Sequence, residues 1–350
     1  MTSQQPAFDL DDSWEAAQEQ LAEAGVTDGL PVIPPTPERV ERFLKAAGVD
    51  PAKVLAVLPP VMGEVTWQAV AINAVLAGCR PEYLPVIGAA AAALADDDFN
   101  LMGIQTTTGS ATPLLIVNGP IVGRLRMNAE GNALGPGNRA NATIGRAIRL
   151  LLQNVGGAHP GELDMATLGQ PAKFTFCLAE NEAASPWEPL HVERGFAAAE
   201  SVVTVVGAAG IVEIVDSASV RGEDLIRTLA QSLLIPGTLG GSGYLGGGQP
   251  LILLPPEHAA ILDRDGFTKR TLQATIWNEA QLPLDRLSPG VRDHLRQTRE
   301  AAGHPDPESA LRVAERPEDI LIVVAGGVGI KAAYVPSWGG STRAVSRRIE

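Results

Sequence analysis

Pro113-Leu-Leu-Ile-Val117, led in by the Thr/Gly loop 105–110 and stopped by Asn118-Gly-Pro120, is apolar at every position. A strand with one face in water alternates apolar and polar residues, whereas a run without alternation reads as a strand covered on both faces. Such strands occur where helices pack against a sheet, so this run predicts an α/β layer structure. Two further runs of the same kind follow, Pro250-Leu-Ile-Leu-Leu254 and Ile320-Leu-Ile-Val-Val324.

Outward from these runs, helical spacing marks 12–25, where Trp14, Ala17, Leu21 and Ala24 share a face. Thr36 caps a second helix over 37–47, with Pro37 at its first position. Between them Thr27-Asp-Gly-Leu-Pro-Val-Ile-Pro-Pro-Thr-Pro37 has too many prolines to donate a helical ladder and reads as an extended arm or loop. The patterns further predict a strand at 54–58, helices at 64–77 and 81–96, a strand over 173–178, and a hairpin of 202–206 with 211–215. Helices are expected at 223–234, from 257, and at 268–280 and 289–302. The pair Thr112-Pro-Leu-Leu-Ile-Val117 and Gln249-Pro-Leu-Ile-Leu-Leu254 has two readings: the trace of a duplication, or two buried strands each entered by proline. The fold expected is therefore α/β, mixed sheet layers with flanking helices, with an internal duplication as one of the two readings. Its parts are an N-terminal helix and arm (1–26), a first half (27–200) and a second half (201–350), which together could form one continuous domain.

The 350 residues are 45% hydrophobic and 19% charged, a globular composition that needs no staples. A net charge of −13 repels a phosphate backbone, and the one basic cluster, 343–348, reads as a solvated tail, so nucleic acid is not an expected partner. Two cysteines, Cys79 and Cys177, are too few for a disulfide framework and fit a reducing compartment. The polar, acidic stretch 1–12 has no signal-peptide pattern, and no apolar run reaches the roughly 18 residues of a membrane span. A cytoplasmic homo-oligomer with no membrane partner is the expectation.

The strongest local motif is Leu134-Gly-Pro-Gly-Asn-Arg-Ala-Asn-Ala-Thr-Ile-Gly-Arg146, which opens an amphipathic helix carrying Ile144, Ile148, Leu151, Leu152 and Val155. Free backbone amides at a helix start, capping asparagines and a bidentate arginine suit a small anion. On that reading Asn138, Arg139, Asn141 and Arg146 bind a carboxylate or phosphate, with help from Thr107, Thr108 and Asn118. The motif has no Gly-Lys-Ser/Thr and no strand leading into it, so it is not a nucleotide signature. The plainer reading is a capped helix whose arginines pair with nearby carboxylates.

Phe174-Thr-Phe-Cys177-Leu-Ala-Glu180-Asn-Glu182, continued by Trp187 and His191, puts acid/base groups at a strand end. Glu180 and Glu182 would share a side if the strand continues, holding a shared proton or a divalent ion, with His191 transferring protons and Cys177 as a candidate thiol nucleophile. Solvated acids beside a packing tryptophan, and a small core cysteine, are the plainer readings. The glycine-rich loop 237–248 offers Gly241, Ser242 and Gly243 to a cofactor, and Lys331 after Gly326-Gly-Val-Gly329 could meet its anionic group. Whether that cofactor is a flavin, a metal or none is open. His258 falls at a helix start, where its neutral form is favoured and a general base is one reading.

Several segments together resemble a bacterial family associated with UGSC-type thiol or selenol proteins. They are Asp28-Gly-Leu-Pro-Val-Ile-Pro-Pro-Thr-Pro-Glu-Arg39, Ala74-Val-Leu-Ala-Gly-Cys-Arg-Pro-Glu-Tyr-Leu-Pro85, the 135–146 run, Ala179-Glu-Asn-Glu182 with Ser185-Pro-Trp187, and Pro256-Glu-His258. The chain has no Cys/Sec-Gly-Ser-Cys motif of its own, so the resemblance implies that a redox-active thiol sits on a partner protein. The family's histidine in the last glycine-rich loop is replaced by Gly329-Ile-Lys331, and no role resting on it carries over. The functional expectation is an enzyme acting on a small anionic substrate by acid/base or thiol-coupled chemistry, as a lyase, hydrolase or reductase. The other expectation is a non-catalytic ligand-binding or scaffold subunit of a thiol/selenol-protein complex.

Overall fold

In the computed structural model, which describes residues 13–235, 237, 248–339 and 342–350, the Thr112–Asn118 run is a strand buried at every position. Along the chain run α1 (Trp14–Glu23), α2 (Pro37–Ala47), β1 (Val54–Leu58), β2 (Gly63–Thr66), α3 (Trp67–Leu76), α4 (Leu84–Leu94) and α5 (Leu101–Thr106). There follow β3 (Thr112–Asn118), α6 (Ile121–Leu125), α7 (Arg139–Asn154), β4 (Cys177–Ala179), α8 (Leu190–Glu193), β5 (Val202–Ala208) and β6 (Val212–Val215). The remainder is α9 (Gly222–Ser232), β7 (Leu251–Leu254), α10 (Pro256–Arg264), α11 (Lys269–Glu279), β8 (Gln281–Leu282), α12 (Pro289–Ala301), β9 (Leu311–Arg312), β10 (Leu321–Val324), β11 (Lys331–Val335) and β12 (Val345–Arg348). Among the described residues these form two compact units, one from 13–180, 189–206 and 344–350, the other from 181–188 and 207–343.

The first unit is built on a four-stranded sheet of order β12-β5-β3-β4. β3 and β4 are parallel, with Leu115 opposite Cys177, and β12 is antiparallel to β5. α4 packs on β12 and α7 on β4, and α3 and α4 are apolar nearly all round, as helices inside a layer must be. α7 meets β4 closely because Gly145 has no side chain: a Cβ there would stand 2.4 Å from Thr175 Oγ1 and 2.8 Å from the Phe176 amide nitrogen. Thr175 Oγ1 donates to the Ala142 carbonyl at 2.7 Å and ties the strand to the helix.

The second unit has its own four-stranded sheet, order β10-β7-β11-β6, with β10 parallel to β7 and β11 antiparallel to both its neighbours. Ile214, Leu225, Leu229, Ile252, Leu272, Ile276, Ile322 and Tyr334 are among its core residues. Both sheets set the proline-entered strand (β3 or β7) second from an edge, beside a parallel edge strand (β4 or β10), and each ends in an antiparallel strand (β12 or β6). In each half β5 or β11 is followed by a strand that joins the other sheet: β6 pairs with β11, and β12 with β5. The two sheets thus share this part of their strand order.

Several local expectations change. The strand expected over 173–178 shrinks to β4 at Cys177–Ala179, because Pro171–Lys173 is a 3-10 turn. The hairpin of 202–206 with 211–215 does not form, because β5 is buried at every residue and pairs inside the first sheet while β6 is a half-exposed strand of the second. The helix expected from 64 begins at Trp67, since Gly63–Thr66 pairs antiparallel with β1 and Thr66 Oγ1 caps the helix by accepting from the Ala69 amide. The basic tail is not merely solvated: 345–348 is β12, and Arg347 and Arg348 pair with Asp96 and Glu200.

Candidate functional site

The start of α7 spends its polar groups on the protein itself. Asn138 caps the helix, accepting from the Asn141 amide at 3.1 Å and donating to the Arg126 carbonyl at 2.7 Å. The Asn141 side chain, 3% exposed, accepts from the Asn128 amide and donates to the Asn128 and Ala133 carbonyls. Arg139 donates through Nε and Nη2 to the Gly78 carbonyl at 2.9 and 2.8 Å, just past the end of α3 where carbonyls have no helical partner. Arg146 forms a bidentate pair with Asp28, 2.7 and 2.8 Å, and also donates to the Pro31 carbonyl, pinning the proline arm. Arg139→Ala is therefore expected to lower stability by about 1 kcal/mol, read as a lower urea midpoint at unchanged slope.

Further along the same helix, α7 turns Arg149 and Gln153 into a cavity of about 540 Å³ within the first unit. Asp164, Lys173, Asp28, Thr27 and Gln170 complete its polar lining, and Pro160, Ala166, Leu168, Pro171 and Phe174 supply apolar walls. Asp164 is 5% exposed and takes both cations at once, Lys173 Nζ at 2.7 Å on Oδ1 and Arg149 Nη2 at 3.2 Å on Oδ2. Arg149 Nη2 also donates to the Ala158 carbonyl at 3.1 Å. Burial lowers the pKa of both Arg149 and Lys173, and the facing Asp164 only partly offsets it. Arg149 and Lys173 thus share one carboxylate, while Asp28, the other carboxylate of the lining, is held by Arg146 in a bidentate pair.

The cavity wall is held by specific turns. In His159-Pro-Gly-Glu-Leu-Asp164 the amides of Glu162, Leu163 and Asp164 all donate to the His159 carbonyl, which fixes the Asp164 backbone. Gly157, at φ 76°, lies where a Cβ would stand 2.4 Å from Val61. The loop read as a substrate contact braces this wall: Thr107 Oγ1 accepts from the Gly109 amide, and the Thr108 carbonyl accepts from the Thr167 amide at 2.9 Å. Gln170 donates to the Ser110 carbonyl at 2.5 Å, and Gln153 to the Thr27 carbonyl at 2.8 Å. The same segment exposes Met165, Leu168 and Phe174, Leu168 at 94%.

A second buried polar group lies elsewhere in the first unit. Glu180 is 2% exposed, and its Oε2 accepts from Asn118 Nδ2 at 2.7 Å and from the Leu190 amide at 2.8 Å, at the first residue of α8. His191, the next residue, is fully buried. The structure thus brings Asn118 and Glu180 together with the start of α8. β4 stops at Ala179, so the alternation that would align Glu182 with Glu180 does not continue, and Glu182 instead opens a single 3-10 turn, Glu182–Ala184, in the second unit. Cys177 is buried in β4, and burial raises its thiol pKa. Burial likewise pushes Cys79 up to about 12, despite its contact with the Thr143 carbonyl and the pull of Arg139. Near neutral pH both are thiols.

Lys331 is exposed at the start of β11, while Gly241, Ser242 and Gly243 lie outside the described residues. His258 is buried in α10 with Nε2 3.1 Å from the Asp216 carbonyl. Among the described residues no group of three His, Cys, Asp or Glu is placed to hold a metal ion, and no helix is long and apolar enough to cross a membrane.

The sequence reading did not single out Arg149, Asp164 or Lys173. One signal was available: Arg149 stands amid Ile148, Leu150, Leu151 and Leu152, and a charge inside an apolar helical stretch is the informative kind of burial. Asp164 and Lys173 had none, because they reach Arg149 through turns rather than periodic structure. No protein-family model matches the chain, and no curated protein matches it.

Proposed function

We propose that the protein is an enzyme acting on a small anionic substrate, a carboxylate or phosphate, bound in the cavity beside α7. The observation that carries this reading is the buried trio of Arg149, Lys173 and Asp164, two cations on one carboxylate, in a pocket whose other lining carboxylate, Asp28, is already paired with Arg146. Ligand sites are typically apolar concavities with a few convergent polar groups, and titratable groups shifted by burial mark such sites. Lys173 and Asp164, in contact, supply acid/base chemistry of the lyase or hydrolase kind. A cytoplasmic setting fits the two free cysteines.

The test is thermal stabilisation by a panel of acetate, benzoate, pyruvate and inorganic phosphate at low ionic strength. At least one is expected to raise the melting temperature of the wild type. Arg149→Gln should weaken its apparent affinity by about tenfold or more, since a charged hydrogen bond is lost. No stabilisation by any member, or equal stabilisation of the variant, overturns the reading. A second reading, a non-catalytic subunit of a thiol- or selenol-protein complex, is favoured by the burial of both thiols, which leaves thiol chemistry to a partner.

A further inference from the structure

We infer that Lys173 is an amine nucleophile that forms an imine with a 2-oxo carboxylate in this cavity, Arg149 taking the carboxylate and Asp164 moving the proton. The inference rests on the anion-binding reading above and gives it a substrate class. Lys173 ends the 3-10 turn Pro171–Lys173, so its backbone is fixed, and its side chain is 14% exposed at the cavity. The ammonium has three donors, and its one contact among the described residues is with Asp164. Arg149 uses Nη2 for both of its contacts, which leaves the rest of the guanidinium for a ligand.

The two cationic heads flank one carboxylate, amine on Oδ1 and guanidinium on Oδ2. A 2-oxo acid carries its carboxylate and its electrophilic carbonyl carbon on adjacent atoms, so both partners are matched by neighbouring groups. The apolar walls of Leu168, Pro171 and Phe174 suit the remaining carbon substituent. A desolvated lysine beside a second cation is the usual way to hold a free amine near neutral pH. Burial is the largest influence on Lys173 and lowers its pKa; Asp164 pulls it upward by contact and charge, the Arg149 charge lowers it by less, and the net shift is downward.

The step balances. The ammonium passes a proton to Asp164, and the neutral amine adds its lone pair to the carbonyl carbon, giving a carbinolamine. A nitrogen-bound proton and the one held by Asp164 leave with the carbinolamine oxygen as water. One ammonium and one ketone become one protonated imine and one water, with Asp164 returned as carboxylate and no oxidant or reductant consumed. The protonated imine then withdraws electrons from the bond next to it, which is the need of a lyase.

The experiment is reductive trapping. Intact protein is incubated with pyruvate and sodium borohydride, digested, and its peptides mapped by mass spectrometry, which resolves the five lysines of the chain. The expected result is one reduced pyruvate on the peptide containing Lys173, at a rate about tenfold or more above exposed Lys45, with the adduct absent in Lys173→Arg. Trapping should rise with pH through a midpoint below the ordinary lysine value of 10.5, and Arg149→Gln should move that midpoint upward. If pyruvate stabilises the protein but labels Lys173 no faster than Lys45, the imine is overturned and the anion site stands. If no carboxylate or phosphate stabilises the protein, the binding reading falls first. A lysine labelled elsewhere at the faster rate overturns the assignment to Lys173.

Discussion

Asp164→Ala is expected to destabilise the protein by about 3–5 kcal/mol, the usual consequence of removing one partner from a buried ionic group. The residue is 5% exposed and compensates two cations that are themselves nearly buried, Arg149 at 9% and Lys173 at 14% side-chain exposure. Without it the two positive groups face each other across a cavity, and the Ala166 amide also loses its acceptor at 3.3 Å. Replacing the whole trio with Asp164→Leu, Arg149→Met and Lys173→Met should recover most of the loss, because no uncompensated charge then remains. Urea unfolding of the single and triple variants provides the comparison. A single variant within about 1 kcal/mol of wild type would show that water already screens the trio.

Gly119→Ala is expected to cost about 3 kcal/mol, from two effects that add. Gly119 sits at φ 83°, where an L side chain is strained, and a Cβ would stand 2.1 Å from the Glu200 carbonyl oxygen and 2.9 Å from its carbon. That neighbour is backbone leading into β5, so relief would require the start of one central strand to move away from the end of another. Gly123→Ala is the matched control, since nothing lies within 4 Å of its Cβ position in α6. Alanine there should be neutral or stabilising by up to about 1 kcal/mol. Equal melting temperatures for the two variants would remove the argument.

The three unalternating runs were sufficient to announce an α/β fold, since burial on both faces leaves a direct mark on composition: β3, β7 and β10 lie where those runs do. Pairing left no such mark. β5 and the chain after it look like a hairpin locally, and only the partners β12 and β11, far along the chain, reveal that the two strands belong to different sheets. The candidate site divides in the same way. The 134–146 motif was visible because it concentrates glycine, asparagine and arginine, yet these residues hold the arm, the α3 end and the 126–133 loop. The cavity charges come from a helix, a turn and a 3-10 segment, and no local pattern joins Arg149 to Asp164 and Lys173.

The order of the strands along the chain also sets an order of events during synthesis. As the chain leaves the ribosome, β3, β4 and β5 emerge before any strand of the other four-stranded sheet, but their own sheet lacks its fourth member until every strand of that sheet has been made. Throughout that interval the β5 edge that β12 will occupy exposes unpaired amides and carbonyls, the kind of edge that recruits foreign strands. A nascent chain stalled after β5 therefore carries an adhesive border that β12, made after the other strands of both four-stranded sheets, later covers.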